Sequence, residues 1–248
     1  MYTEFFGLER FMDIKVKLNR ETLVDRIVDI LEDRILKGGL RPRTKLSEIH
    51  VANEFGVSRV PAREALQRLE EMNLVRKNHL GREVVEFSRE EYAQIHELKN
   101  AVEAFGVMKG ALKASPQHLA RMQSILRRME RYASDGDLAR MKPCNYEFHD
   151  LLVSCCGNQK LFDTYLSLVK QVRWATTLSL QLPARLKEAF REHQKISEAF
   201  QRRDGVAARA LIEAHSQESM QRVLSQMESM EKRREVEKKR PEKRKPHS

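Results

Sequence analysis

Asn145 and His149 stand four residues apart, so on a helix they project from one face. His193 opens the run His-Gln-Lys-Ile-Ser-Glu-Ala-Phe, and His215 follows 22 residues later. His149 has Phe148, Leu151 and Leu152 for neighbours, and His215 shares a helical face with Ala208 and Leu211. Imidazoles carried into an apolar core by three helices can converge on a first-row transition metal. Taken singly, each of these residues reads as an ordinary core or surface histidine, as do His50, His79, His96, His118 and His247. The spacing of the set is what raises the metal reading.

A second constellation lies nearer the N-terminus. Arg59 and Arg63 are four apart, opposite an apolar stripe of Ala62, Leu66 and Leu69. Two guanidiniums at a helix start suit bidentate contact with guanine O6 and N7, or with phosphate. A lone arginine pair is more simply a solvated face, so its neighbours must decide. Leu23, Ile27, Ile30, Leu31 and Ile35 recur at helical spacing and end at Gly38-Gly39. Leu46, Ile49, Ala52 and Phe55 suggest a second helix, and Gly56 permits a tight turn. Ser58, a capping type, and Pro61 in the first turn open the arginine-bearing helix, which Asn73 closes. Residues 74–77 and 83–87 are β-rich runs around Asn78-His79-Leu80-Gly81, a hairpin signal. Helix, turn, helix and a two-stranded wing make a winged helix, whose wing tip carries His79 and Arg82 toward a groove or phosphate.

Beyond about Ser88 the strands stop and amphipathic helices follow one another. They run over about 90–114, 115–134, 143–156, 159–181, 184–202 and 204–229, with Pro143 opening or kinking the third. The expected fold is mainly α: an N-terminal winged helix-turn-helix plus a C-terminal all-α antiparallel bundle of six or seven helices. The boundaries are an N-terminal extension 1–19 (Met12 is an alternative start), a winged helix 20–87, a helical domain 88–230, and a basic tail 231–248 read as disordered. That tail holds nine Lys/Arg and four Glu, half of the chain's net charge of +10.

In 248 residues, 41% hydrophobic and 33% charged, there is enough apolar material for a core. No apolar run is long enough to span a membrane, and the N-terminus shows no basic-then-apolar leader pattern. Three cysteines, two of them adjacent at 155 and 156, cannot build a disulfide framework. Cys144, Cys155 and Cys156 read as small buried hydrophobes, and the expected location is the reducing cytoplasm.

The run GVSRVPAREALQRLEEMNLV resembles the signature of the GntR superfamily of bacterial transcription regulators, VSRxPVREALxxLxxxGLV, over about 20–87. The resemblance implies Ser58, Arg59 and Arg63 as principal DNA-contacting residues. It departs at Arg43, where Gly usually follows Pro42 in a loop near the phosphates; at Ala62 for Val; and at Asn73 for a Gly that often needs φ > 0. Over about 90–229, NxxFHxxL followed by EHxxIxxAFxxRDxxxARxxxxxH resembles the FCD effector domain of the FadR branch. That resemblance implies a divalent transition metal (Zn, Ni or Mn) held by Asn145, His149, His193 and His215 beside a small-carboxylate pocket. Asn145 is a poorer ligand than a carboxylate. Lys99 replaces the arginine usual in Glu-Leu-Arg-x-x-Leu-Glu and offers a point charge rather than a fork. Arg173, beside Trp174, is a second anion-facing candidate.

The function so implied is a repressor of operator DNA that works as a homodimer, responds to a small carboxylate, and has no membrane partner. The runner-up is a metal-dependent enzyme using the three histidines. Against it, no general base stands at a recognisable spacing, and Glu147 and Glu192 should point away from their histidine neighbours. A third reading is non-specific nucleic-acid binding by the basic tail.

Overall fold

The computed structural model describes residues 22–79, 81–179 and 183–238. The expected extension 1–19, and the tail beyond residue 238, lie outside these.

Helix α1, Leu23–Leu36, starts at a capping box on Thr22. The Thr22 hydroxyl accepts from the Asp25 N–H, and the Asp25 carboxylate accepts from the Thr22 N–H at 2.8 Å. Ile27, Leu31 and Ile35 face the core. A short strand β1, Lys45–Leu46, precedes helix α2, Glu48–Phe55. Leu46 is therefore a strand residue and not the first of helix 2, because the Ser47 hydroxyl caps the helix from the His50 N–H. Gly56, at φ 64°, makes the left-handed turn into helix α3, Arg59–Glu71. Asn73 closes that segment at φ 55°, the conformation its position asked for.

Strands β2, Val75–Asn78, and β3, Gly81–Val84, form the expected hairpin, with Val75 opposite Val84. The wing has a third strand that the sequence did not announce: the antiparallel order is β1-β3-β2, with Lys45 opposite Glu83. Two residues are too short a run to carry period-2 patterning.

The bundle, among the described residues, has six helices: α4 Arg89–Lys113, α5 Pro116–Asp135, α6 Leu138–Ser154, α7 Gln159–Ser179, α8 Pro183–Gln201 and α9 Gly205–Lys238. Ser115 caps α5, and Pro116 takes its first position, where no N–H is needed. Two boundaries differ from the sequence reading. Helix α6 begins at Leu138, with the Asp137 carboxylate accepting from the Arg140 N–H, and Pro143 lies inside it. Helix α9 continues to Lys238, eight residues into the segment read as disordered, and Lys232 pairs with Glu228 one turn back.

Helices α4 and α6 meet almost backbone to backbone. A Cβ on Gly110 would lie 2.5 Å from the Leu152 carbonyl oxygen and 3.1 Å from the Cys155 Cβ. This close approach sets how far a side chain on α4 must reach to meet one on α6. Cys144, Cys155 and Cys156 are buried free thiols, and burial pushes Cys155 up to about 11. No described helix is long and apolar enough to cross a membrane.

Candidate functional site

Five helices bring their polar residues to one point in the bundle. Lys99 and Glu103 come from α4, Asn145 and His149 from α6, Tyr165 and Arg173 from α7, His193 from α8, and His215 and Ser216 from α9. The three histidines offer nitrogens that all lie within 4.8 Å of one another. His149 Nε2 and His193 Nε2 are 3.1 Å apart. Two metal–nitrogen bonds of about 2.0–2.1 Å, meeting at square or tetrahedral angles, place their nitrogens roughly 2.8–3.4 Å apart. The spacing therefore fits two ligands of one ion.

Two of the three other ring nitrogens are held by carboxylates. His149 Nδ1 bonds to Glu103 Oε1 at 2.6 Å, and His215 Nδ1 bonds to Glu192 Oε2 at 2.5 Å. A carboxylate on Nδ1 fixes ring orientation and aims Nε2 inward, as metal-ligating histidines require. Glu103 itself accepts from Lys99 Nζ at 2.6 Å, and Lys99 also donates to Ser216 Oγ at 2.6 Å. Glu192 takes both amino groups of Arg185, each at 2.6 Å.

Protonation follows from these contacts. Burial alone would raise the Glu103 carboxyl, but the Lys99 ammonium and His149 hold it below the usual carboxylate range. Burial works the same way on Glu192, and the hydrogen bonds from Arg185 and His215 win, leaving it at about 2. Burial, then His215 and His149, keeps His193 well below an ordinary histidine. His215 is lowered by burial too, though its bond to Glu192 opposes this. Neutral imidazoles are the form that ligates.

Beside the histidines lies a cavity of about 60 Å³, lined also by Tyr92, His96, Tyr146 and Asp150. Lys99 faces it as expected, buried and already bonded. Arg173 faces it too, paired with Asp150 at 2.7 Å and stacked 4.7 Å over the Tyr146 ring. Asn145 lines the cavity and makes no side-chain hydrogen bond to another described residue. Four residues escaped the sequence reading. His96 reads singly as an ordinary histidine, yet it shares a face of α4 with Lys99 and Glu103 at i, i+3 and i+7. Glu192 does point away from His193, and in doing so it meets His215 on the next helix. Glu103 pairs with Lys99, and Asp150 with Arg173. Glu147 points outward to Arg121 and Arg128, as expected.

At the other end of the molecule, Ser58, Arg59 and Arg63 share the exposed start of α3. Ser58 is the N-cap residue but makes no capping hydrogen bond, unlike Ser47, Ser88 and Ser115. Arg59 has no ion pair among the described residues. Arg63 Nε donates to both Glu48 oxygens, at 3.1 and 3.2 Å. Val60, between the two arginines, is 60% exposed. His79 is exposed at the wing turn. Arg82 does not reach outward from the tip: its side chain is 12% exposed and folds back onto Glu48 and Glu70, each at 3.2 Å. Arg43 sits at φ 66°, in the left-handed region, and pairs with Glu86.

The gntR family of bacterial regulatory proteins matches residues 23–82, and the FCD domain matches residues 94–218. The chain belongs to the GntR family, in its FCD-bearing branch. This GntR regulator is 27% identical over 180 residues to the gluconate operon transcriptional repressor of Bacillus licheniformis, covering 72% of this chain and 73% of that one. It is 27% identical over 212 residues to the transcriptional repressor RspR of Escherichia coli, covering 84% and 92%. The solved structure of McbR/YncC from E. coli shares its fold, with TM-score 0.73 at 20% identity over 83% of this chain and 99% of that one. The family makes the chain a DNA-binding transcription regulator and not an enzyme.

Proposed function

We propose that this GntR regulator is a homodimeric repressor whose operator affinity is set by a small carboxylate bound at a metal in the bundle. One observation carries the reading: two histidine Nε2 atoms 3.1 Å apart, with carboxylates on the Nδ1 atoms of His149 and His215. His149, His193 and His215 would hold the ion, with the Asn145 amide oxygen as a fourth, neutral donor. A divalent ion such as Zn, Ni or Mn supplies Lewis acidity and open positions for a carboxylate.

The chain's own residues set which acid fits. Lys99 is balanced by Glu103, and Arg173 by Asp150. The walls therefore contribute orientation more than net attraction. Lys99 has one N–H beyond its two bonds, enough for a single acceptor. At about 10–15 Å³ per water-sized position, the cavity has room for roughly four to six atoms. That is the size of acetate or lactate.

The signal has a physical path. Val169, Val172 and Arg173 of α7 line the cavity, while Lys170 pairs with Glu32 of α1 at 3.0 Å. A shift of α7 on effector binding is passed to the scaffold behind α3. At the DNA end, Arg59 and Arg63 read bases or phosphate, with Ser58, Arg43 and His79 on the backbone. Arg82 acts through Glu48 by competing for the acid that holds Arg63. Leu98, Phe105 and Leu112 recur every seven residues along α4 and stay exposed, an apolar stripe that a second copy would cover.

The test is metal content of protein purified without chelator or affinity tag, wild type against His193→Ala, with operator binding followed in parallel as acetate or lactate is added. About one ion per chain, lost in the variant together with the acid response, is the expected result. A metal-free wild type that still responds to acid would reassign the pocket to charge and shape alone.

A further inference from the structure

A second and larger cavity, of about 230 Å³, lies where the winged helix meets the bundle. Its wall is mostly apolar: Leu36 at the end of α1, Leu40 and Pro42 in the loop after it, and Val85 and Phe87 beyond β3. The bundle contributes Lys142 of α6. Lys142 is half-buried, and its ammonium makes no hydrogen bond or ion pair among the described residues. The other wall lysine, Lys37, is exposed and matched by Asp33 at 2.8 Å. In the histidine pocket each cation has its acid. Here a cation stands unmatched against an apolar wall.

That pairing is the complement of an amphipathic anion: the charged head meets the ammonium, and the body displaces water from apolar surface. We propose that the junction cavity binds an amphipathic monocarboxylate, its head on Lys142 and its apolar body against Leu36, Val85 and Phe87. At about 10–15 Å³ per water-sized position, the volume accepts roughly a dozen or more non-hydrogen atoms. The occupant touches both units. Lys142 lies three residues before Asn145 on the same helix, so an acid held here bears on the histidine pocket as well as on α1. Desolvation lowers the Lys142 ammonium from an ordinary lysine, and an arriving carboxylate relieves that cost.

The experiment titrates octanoate and, separately, octanol into the full-length protein by calorimetry, in buffer with and without excess acetate. Wild type is compared with Lys142→Met, which keeps the aliphatic stem, and with Leu40→Trp, which fills the cavity. Saturable octanoate binding is expected. It should be about tenfold weaker in Lys142→Met, with octanol little changed, because only the charged head loses its partner. Leu40→Trp should weaken both ligands, and acetate should displace neither. Absence of saturable binding, octanoate affinity indifferent to both substitutions, or displacement by acetate would each overturn the proposal. Neither metal nor operator enters the readout, so the result stands apart from the repressor reading.

Discussion

Glu48 and Glu103 do the same job in opposite surroundings. Glu48 lies at the surface and holds Arg63 and Arg82 together. Glu103 is 1% exposed and holds Lys99 and His149 together. An exposed pair is worth about 0–1 kcal/mol, so phosphate can take Arg63 from Glu48 at little cost. Removing one partner of a buried pair costs about 3–5 kcal/mol, because the other charge stays behind unpaired. The α3 surface is built to exchange partners, and the bundle pocket is built to keep them.

The largest expected effect breaks the buried side. Glu103→Leu should destabilise by about 3–5 kcal/mol, seen as a large fall in Tm, with Glu103→Gln less severe because it can still bond to His149. A Tm within a degree or two of wild type would show that Lys99 finds water or another acid. Glu192 adds a pH signature. Its pKa in the fold is about 2, below its ordinary value, so the stability it contributes is whole above about pH 4.5 and lost as pH falls toward 2. The gap in Tm between wild type and Glu192→Gln should therefore close across that window, and a gap that persists below it would mean the glutamine acts by packing.

A smaller effect tests the frame around the pocket. Gly110→Ala puts a Cβ against the Leu152 carbonyl and should cost about 1–3 kcal/mol, with α4 pushed off α6. Since Glu103 and His149 sit on those two helices, metal affinity should fall with it. Unchanged stability would mean that the helices part freely.

On the exposed side, Arg63→Ala should lower operator affinity by about 1–3 kcal/mol while leaving folding stability within about 1 kcal/mol of wild type. Glu48→Ala sharpens the contrast: stability should again barely move, and operator binding should strengthen as Arg63 is released. Weaker binding would show that Glu48 positions Arg63 and does not compete for it.

The difference between the two regions also explains what could be read in the sequence. The start of α5 was legible because caps are local, Ser115 bonding within three residues, whereas Ser47 and Asp137 cap just as locally but Leu46 and Pro143 stood in the sequence as rival helix starts. Helical spacing joined only Asn145 to His149; the full histidine set was legible through the resemblance to the FCD pattern. Glu192 was not, because its partner His215 is 23 residues away on another helix, and adjacency to His193 says only that the two point apart. Arg82 was misjudged for the same reason: a hairpin position gives the strand, but not the acids of α2 and α3 that draw it inward. Strand β1 shows only in its pairing with β3.

The smallest expected effect lies at Arg43, where stability and recognition can be separated. Its φ of 66° costs an L-residue about 1–2 kcal/mol, a strain that glycine escapes. Arg43→Gly regains that strain but loses up to about 1 kcal/mol to chain entropy and a similar amount to the exposed pair with Glu86. The terms nearly cancel, so Tm should move by only a few degrees. Arg43→Ala loses the same ion pair and keeps the strain, so it should be about 1 kcal/mol less stable than Arg43→Gly. If Arg43 meets a phosphate, both variants should bind operator more weakly by the same factor, with the salt slope reduced by about one. Equal stability of the two variants would remove the strain argument. An unchanged salt slope would remove Arg43 from the DNA surface and leave Arg59 and Arg63 to carry it.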